Sequence, residues 1–401
     1  MLLKLDKRVL LVCDEYIYMY KNKFYTRDFG FILLNRYIKH WPQCNFLLKV
    51  KKVEFETELG NYNILFSHQN KIFQVPFFQG PSELIFNYKN IKRSCKVWVD
   101  SRDSSRLVLF RLPSLLGLIF YIFNFRTKFD FVLEIVAHPL EISQNHHRIL
   151  EKIFWRIMHF SQSLLTKKAI AVSYVTSETL QKTYRVKNSN IPTSYYSSIE
   201  LDDDFFLERN IFGLDGKYRI CLISHPINNN FSGHITLINV VSELTKRGID
   251  VEVNIAGAGP LVSSFKKRIV ELGIEKSFRW LGHINREGVK KLLKNSDFMI
   301  YASLSDGLPR VVIESMASGV IPLSTSAGGI PELLDIKFLC DNKNYNCFVE
   351  KICKYVSNEE LFFYDSKELQ KKAAFYKRDV LNTKRTDFFT EVDKIVDKYQ
   401  L

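Results

Sequence analysis

The second half of the chain alternates short apolar runs with longer stretches of helical spacing. Arg219 to Ser224, Val251 to Ala256, Phe278 to Leu281, Phe298 to Ala302 and residues 320–324 have the composition of buried strands. Between them, residues 233–247, 261–272, 287–295 and 309–318 read as helices, the first with Leu237, Val240, Val241 and Leu244 on one face. A short helix starts from Pro331. Strands interleaved with helices of this length predict a parallel, doubly wound sheet. Ligands of such sheets bind beyond the carboxyl ends of the strands. Ser224, Gly257, Gly282, Ser303 and Thr325 fall at or near those ends.

The first half is looser but similar. Arg8 to Val12, Val97 to Val99, Arg106 to Phe110, Phe131 to Val136 and Ala169 to Val175 read as strands, with helices near 113–123, 147–165 and 177–184. The pattern breaks at 200–217, where Asp202, Asp203, Asp204 and Gly213 to Lys217 stand. We therefore read two α/β domains, 1–200 and 201–380, followed by an amphipathic tail over about 380–401. There is no internal repeat and no low-complexity segment.

One stretch, residues 306–334, carries the most chemistry. It places two carboxylates, Asp306 and Glu314, eight positions apart across a loop-to-helix junction. Pro309 suits the first helical position and Gly319 the C-terminal cap. The helix between them buries Val312, Ile313 and Met316. Free amides at such an N-terminus, with the macrodipole behind them, suit a diphosphate. Glu314, one turn in, is placed to accept from ribose hydroxyls, and Asp306, on the loop, from hydroxyls of a sugar.

This acidic-x7-Glu spacing, followed by a small-residue turn, an apolar strand and Gly-Gly-Ile-Pro-Glu-Leu, resembles the donor-site signature of family-4 retaining glycosyltransferases of GT-B fold. The usual first acid is Glu; here it is Asp306. The match is good over about 218–340 and reaches the first 200 residues only in general layout. The resemblance implies two Rossmann-like domains facing a cleft, the first for the acceptor and the second for a nucleotide-sugar donor. It also implies a last helix that crosses back to the first domain. Donor-binding residues carried over are Asp306, Gly307, Leu308, Arg310, Glu314, His225, Gly282 and His283, the last two cupping the base through backbone atoms. His138, ending the strand that precedes Pro139, matches a position that faces the transferred sugar and suits proton or hydrogen-bond duty near neutral pH. Its other reading is structural, as is usual for a lone strand-end His.

The chain departs from that family in two places. The Arg and Lys that neutralise the donor diphosphate fall on His225 and Ser232, and neither holds a reliable charge at neutral pH. Either Arg310 compensates or the donor site is weakened. The Gly-rich loop after the first strand is replaced by Cys13-Asp14-Glu15-Tyr16, so acceptor contacts do not carry over. Ser104, Ser105, Arg111 and Ser114 are acceptor candidates by position, or caps and surface. Gly257, Gly259, Gly328 and Gly329 suit tight turns or close approach to a ligand.

Net charge is +14, and its distribution is uneven. Residues 1–200 hold 29 Lys and Arg against 16 Asp and Glu, while 201–401 hold 28 against 27. A basic first half attracts anionic lipid or an anionic acceptor, or is simply solvated surface. No nucleic-acid recognition motif accompanies the charge. The longest apolar stretch, Leu112 to Phe125, is too short to span a bilayer. It reads as a buried helix, with an interfacial helix as the alternative. Val9 to Cys13, cut off by Asp14 and Glu15, is no signal peptide. Seven scattered cysteines without a Cys-x-x-Cys predict free thiols in a reducing cytoplasm. With no metal-ligand spacing and no Asp-x-Asp motif in a donor context, Asp202 to Asp204 being an isolated run in the linker, we expect no metal and no cofactor beyond the donor.

The function expected is transfer of a sugar, with retention, from a nucleotide sugar to a glycan or lipid-linked acceptor in bacterial surface polysaccharide or glycolipid assembly. The enzyme would be cytoplasmic, or peripheral on the inner face of the membrane. Alternatives are a nucleotide-sugar epimerase or phosphorylase on the same fold, and a non-catalytic, degenerate subunit.

Overall fold

The computed structural model describes residues 9–400 apart from 61, 63, 67–71, 79, 101–106, 128, 147, 225, 228–231 and 342–343. The first domain holds strands β1 (Val9–Tyr20), β2 (Lys23–Thr26), β3 (Asn45–Lys52), β4 (Ile64–Leu65), β5 (Ile72–Pro76), β6 (Leu107–Leu112), β7 (Asp130–Ile135), β8 (Ala171–Tyr174) and β9 (Thr193–Tyr195). Its helices are α1 (Asp28–His40), α2 (Pro81–Asp100), α3 (Leu115–Asn124), α4 (Pro139–Asn145), α5 (Ile149–Thr166) and α6 (Thr179–Thr183). The parallel order is β5-β3-β1-β6-β7-β8-β9. Val9 to Val12, Leu107 to Phe110 and Val132, Leu133 and Ile135 are fully or almost fully buried. Near-continuous apolar strands are what a parallel sheet covered on both faces requires.

β1 runs on to Tyr20, well past the expected Val12, and turns into an antiparallel hairpin with β2. Asp14 explains why no Gly-rich turn is needed there. Its carboxylate accepts from the Leu115 N–H at 2.6 Å, capping α3, and pairs with Lys49 at 3.2 Å. Glu15 meets Arg27 at 3.1 Å, tying β1 to the start of α1. Val97 to Val99, expected as a strand, form the last turn of α2 instead. Three β-branched or aromatic residues are too short a run to override a helix already propagating from Pro81. The stretch 112–125 is largely a buried helix: Leu116, Ile119 and Phe120 enter the core, while Ile122 and Phe125 stay exposed.

The second domain is a parallel sheet in the order β12-β11-β10-β13-β14-β15. Its strands are β10 (Tyr218–Ile223), β11 (Val251–Ala256), β12 (Phe278–Gly282), β13 (Phe298–Tyr301), β14 (Ile321–Thr325) and β15 (Leu339–Cys340). Its helices are α7 (His234–Lys246), α8 (Val262–Glu271), α9 (Arg286–Lys294), α10 (Arg310–Ala317), α11 (Ile330–Leu333), α12 (Tyr345–Val356), α13 (Glu359–Ala373) and α14 (Arg378–Gln400). α14 lies against the first domain. Trp41 Nε1 donates to Asp393 at 3.0 Å, His40 Nε2 meets the same carboxylate at 3.1 Å, and Phe389 packs on Trp41. At the crossing, Glu200 is held by Arg36 and Arg378, and Asp202 by Arg286 and Arg378.

Two further observations bear on the expectations. Cys340 and Cys347 are joined, so the cysteines are not all free thiols: α12 begins just beyond β15 and brings Cα atoms seven residues apart to 5.8 Å. A lone x6 spacing carries no signature by which this pair could be foreseen. Cys13, Cys44, Cys95, Cys221 and Cys353 are not disulfide-bonded. Among the described residues no helix is long and apolar enough to cross a membrane.

Candidate active site

The carboxyl ends of β10, β13 and β14 face the first domain, and the loops leaving them carry the candidate residues. Thr325 Oγ1 donates to the Ser303 carbonyl, and Ser224 Oγ meets Ser232 Oγ at 2.8 Å. Polar side chains thus hold the strand ends at fixed spacing. Gly233, at φ +81°, starts α7 so close that a Cβ would fall 2.5 Å from Ala302. Ser232, at the position of the family's Lys, is therefore engaged within the second domain. His225 lies outside the described residues, as do Ser104 and Ser105.

After β13 the chain turns through Asp306 and Gly307 into α10. Pro309 is the N-cap rather than the first helical residue, so the helix begins one position later than expected, and Gly319 closes it at φ +68°. Asp306 is fixed by its neighbour on the strand: the Tyr301 hydroxyl donates to Oδ2 at 2.7 Å. Burial raises its carboxyl above the ordinary value, against Tyr301 and the Arg310 charge, which lower it. Glu314 sits one turn into α10 on the same side. Burial pushes its carboxyl up to about 7, with Arg310 and Arg286 pulling the other way. A buried carboxylate whose ionisation is opposed in this way is suited to accept from hydroxyl donors. Hydroxyl donors would supply what bulk water supplies elsewhere.

Arg310 stands in the mouth of the cleft, deep between the domains yet open to solvent. Its guanidinium lies 4.1 Å over the Phe29 ring of α1. Burial lowers its affinity for the proton, Glu314 raises it, and Arg111 and Arg36 lower it again. Those two arginines enter from the first domain. Arg111 meets Glu134 at 3.2 Å, and Glu134 also accepts from Tyr37 at 2.5 Å and Tyr196 at 2.9 Å. Arginines therefore stand on both sides of the cleft, Arg111 paired with Glu134, Arg36 with Glu200, and Arg310 in the field of Glu314 and Asp306. Leu308 is buried beneath the loop.

The glycines act between protein segments. A Cβ on Gly307 would come within 2.0 Å of the Val136 carbonyl, across the domain boundary. One on Gly328, at φ +53°, would strike the Asp306 carbonyl, and one on Gly329 would meet Gly307. These residues let the 327–329 loop close on the 306–307 loop and let both reach the first domain. Gly282 ends β12 at φ +66°, and its carbonyl accepts from Gly257 N–H at 2.7 Å. His283 follows it as an exposed loop residue.

His138 is the N-cap of α4. Nδ1 accepts from the Glu141 N–H at 3.2 Å, so Nε2 carries the proton toward Thr183 Oγ1 at 3.1 Å. Burial lowers its pKa, which suits this neutral tautomer. Both ring nitrogens are thus occupied inside the first domain, and what reaches the cleft from this turn is Glu141. Its carboxylate accepts from the Gly328 N–H at 2.8 Å and Ser305 Oγ at 3.1 Å. Asn145 donates to the Leu304 carbonyl at 2.6 Å. From the other side Glu332 accepts from Ser177 N–H at 2.5 Å and Thr179 N–H at 2.7 Å. Burial opposes its ionisation, but these donors hold its carboxyl below the ordinary value. Sequence reasoning missed Glu141, Asn145 and the role of Glu332. Glu332 stood in the quoted Gly-Gly-Ile-Pro-Glu run, and Glu141 three places after a strand-end His, a capping spacing.

A second hollow of about 760 Å³, lined by Arg209, Arg219, Glu252, Arg279 and Asp297, opens at the amino ends of β10 and β13. It is on the opposite edge from Asp306 and Glu314, where sheets of this kind do not bind ligands. Among the described residues no group of three or more His, Cys, Asp or Glu side chains is arranged to hold a metal ion.

Residues 204–376 match the family model of glycosyl transferases group 1. Protein CapJ of Staphylococcus aureus is 22 % identical over 395 residues, 98 % of each chain. Among solved structures, that of Anabaena Alr3699/HepE in complex with UDP and glucose is similar with a TM-score of 0.66 at 13 % identity, covering 96 % of this chain and 99 % of that one. The apo lipopolysaccharide outer core galactosyltransferase WaaB is similar with a TM-score of 0.62 at 12 % identity, with the same two shares covered. Residues 204–376 are thus similar to the glycosyl transferases group 1, and the chain as a whole has the GT-B fold.

Proposed function

We propose that the chain transfers a sugar from a nucleotide sugar, with retention and without a metal, to a glycan or lipid-linked acceptor of the bacterial surface. The observation that carries this reading is the Asp306 and Glu314 pair, one on the loop and one a turn into α10, on the cleft side of the second domain. Glu314 accepts from the ribose and Asp306 from the transferred sugar, and the α10 N-terminus and Arg310 face the diphosphate. Arg310 takes over the charge that His225 and Ser232 do not supply, supported across the cleft by Arg111. Gly282 and His283 line the base. His138 positions Glu141 through the α4 cap, leaving leaving-group stabilisation and positioning to support the transfer. The solved relative of the same fold that holds UDP and glucose favours a uridine diphosphate donor as the first to try. The basic first domain favours an acceptor, or a surface, that is anionic.

The test is thermal stabilisation by UDP-, GDP- and ADP-sugars, followed by the anomeric configuration of the product made from the donor that binds. Stabilisation by one donor and a product of the donor's own anomeric configuration support the reading. An inverted product removes retention. A product epimerised without acceptor assigns an epimerase, and no stabilisation by any donor returns the degenerate subunit, the reading that Ser232 favours.

A further inference from the structure

The outward face of α5 is apolar. Ile149, Leu150, Ile153, Ile157, Phe160 and Leu164 recur at three- and four-residue spacing and are each between 40 % and 80 % exposed. They form one stripe along roughly 22 Å of helix. The opposite face packs inward through Met158, Gln162 and Leu165. At the C-terminal end the stripe continues onto α3, where Lys168 Nζ reaches Tyr121 and the exposed Ile122 and Phe125 follow. Soluble proteins rarely leave so long a row of large apolar side chains uncovered.

The charges around the stripe have one sign. Lys152 and Arg156 flank it along one edge, Lys167 and Lys168 close its end, and Arg126 lies beside Phe125. Arg148 stands at its start. The only acid on the helix, Glu151, is turned to His146 and Arg148 and does not enter the face. An apolar face rimmed by Lys and Arg is the pattern of a helix lying in the interface of an anionic bilayer.

We infer that the α5 face is the surface by which this chain docks on an anionic membrane, resting on the proposed reading of a lipid-linked acceptor. It replaces the 112–125 segment as the seat of docking, since α3 spends most of its apolar residues on the core. Its inner side ties docking to the cleft. Gln162 donates to the Ala137 carbonyl at 3.3 Å, His159 stacks on His138 at 6.3 Å, and the end of α4, just ahead of α5, reaches Leu304 through Asn145. A membrane under α5 is thus one helix away from the turn that carries Glu141, which brings a lipid-borne acceptor to the cleft.

The experiment is flotation of the full chain with neutral vesicles and with vesicles containing phosphatidylglycerol, for the parent, Ile153→Asp/Phe160→Asp and Lys152→Glu/Arg156→Glu. The substituted side chains are exposed, and each variant's melting point and donor-induced shift check that the fold and donor site survive. The parent should bind anionic vesicles and release as salt rises. The apolar pair should lose at least tenfold in partition. The charge pair should lose about fivefold per charge removed at low salt, and less at high salt. No vesicle binding by the parent, equal binding to neutral and anionic lipid, or unchanged binding by Ile153→Asp/Phe160→Asp overturns the inference. So does a self-associated parent whose dimer, rather than its lipid binding, is abolished by that pair. Loss of vesicle binding with donor stabilisation intact separates this inference from the proposed function; donor stabilisation absent with vesicle binding intact fails the other alone.

Discussion

Replacing Glu314 by Gln should make the ligand-free protein more stable above neutrality while loosening its hold on the donor. The carboxyl moves from an ordinary 4.5 to about 7 in the folded chain. At about 1.4 kcal/mol per pKa unit this is about 3 kcal/mol against the ionised form, an upper bound because the cleft admits water. We expect about 1–2 kcal/mol after that screening. The sign follows from the direction. A folded pKa above the unfolded one means the folded state holds the proton more tightly. The cost is therefore absent below about 4.5, grows as pH rises toward 7, and is present in full beyond it. Gln, neutral at every pH, escapes it. For a domain of this size the melting temperature should rise by about 2–8 °C at pH 8 and hardly change at pH 4.5. With donor present the order reverses. Loss of a hydrogen bond to a charged group removes about 1.5–3 kcal/mol of binding, roughly ten- to a hundredfold in affinity. The parent's own affinity should fall below pH 7, by up to tenfold per pH unit, as Glu314 takes up its proton. Differential scanning calorimetry at pH 4.5 and 8, with and without UDP-sugar, reads all of this. A Gln variant no more stable than the parent at pH 8, or one with an unchanged donor-induced shift, would refute the reasoning.

Arg310→Ala should weaken UDP by about 1.5–3 kcal/mol and leave uridine nearly untouched, because the lost contact is to phosphate; equal losses for both ligands in calorimetric titration would remove Arg310 from the diphosphate. Glu332→Gln should cost about 0.5–1.5 kcal/mol of domain contact, since the carboxylate is partly solvated. Its folded pKa is depressed, so the parent keeps this contact above about 4.5 and loses it as pH falls through the folded value. Small-angle scattering should show a larger radius for the variant at neutral pH, and identical curves would assign the contact no closing role. Activity, once a donor is identified, should persist in EDTA; abolition reversed by Mg²⁺ or Mn²⁺ would count against a metal-free transfer.

What was legible in the sequence divides by distance along the chain. Strands β10 to β14 were readable within a residue or two because apolar runs such as Val251 to Ala256 are bounded by Gly, and the helices between them repeat at 3.6; the two-residue β15 was not. The placement of Asp306 and Leu308 on a loop and of Glu314 one turn into the following helix was readable because the three are local in sequence. The first domain was harder where side chains substitute for local signals. Asp14 caps a helix about a hundred residues later, so β1 shows no Gly-rich turn to mark where it ends. α1 went unnoticed because no cap side chain announces it at Arg27. Val97 to Val99 misled because a three-residue apolar run is the same in a strand and in a helix end.

The site itself resisted reading at the point where two domains meet. Gly328 and Gly329 suggested close approach to a ligand. In the folded chain the close approach is to the Asp306 and Gly307 backbone, and Gly307 in turn leaves room for the Val136 carbonyl. A missing Cβ is visible in sequence; what fills its space is a tertiary fact. The same holds for charge. Arg310 looked like a single cation beside Asp306, standing in for an absent pair. Folding sets it over Phe29 and within reach of the fields of Arg36 and Arg111, so its surroundings come from α1 and β6, nearly two hundred residues or more away. The three arginines come together only when the domains are apposed, and among the contacts that appose them Glu332 to α6 and Glu141 to Gly328 are carboxylates on backbone N–H groups. A diphosphate competes for the same kind of donor. On the proposed reading, entry of the donor and the hold between the domains are coupled, because an anion arriving at the 327–329 loop meets an amide that Glu141 already occupies. Glu141 holds that amide from across the domain boundary: burial raises its carboxyl, and the Gly328 N–H and Ser305 hydroxyl offset part of the rise.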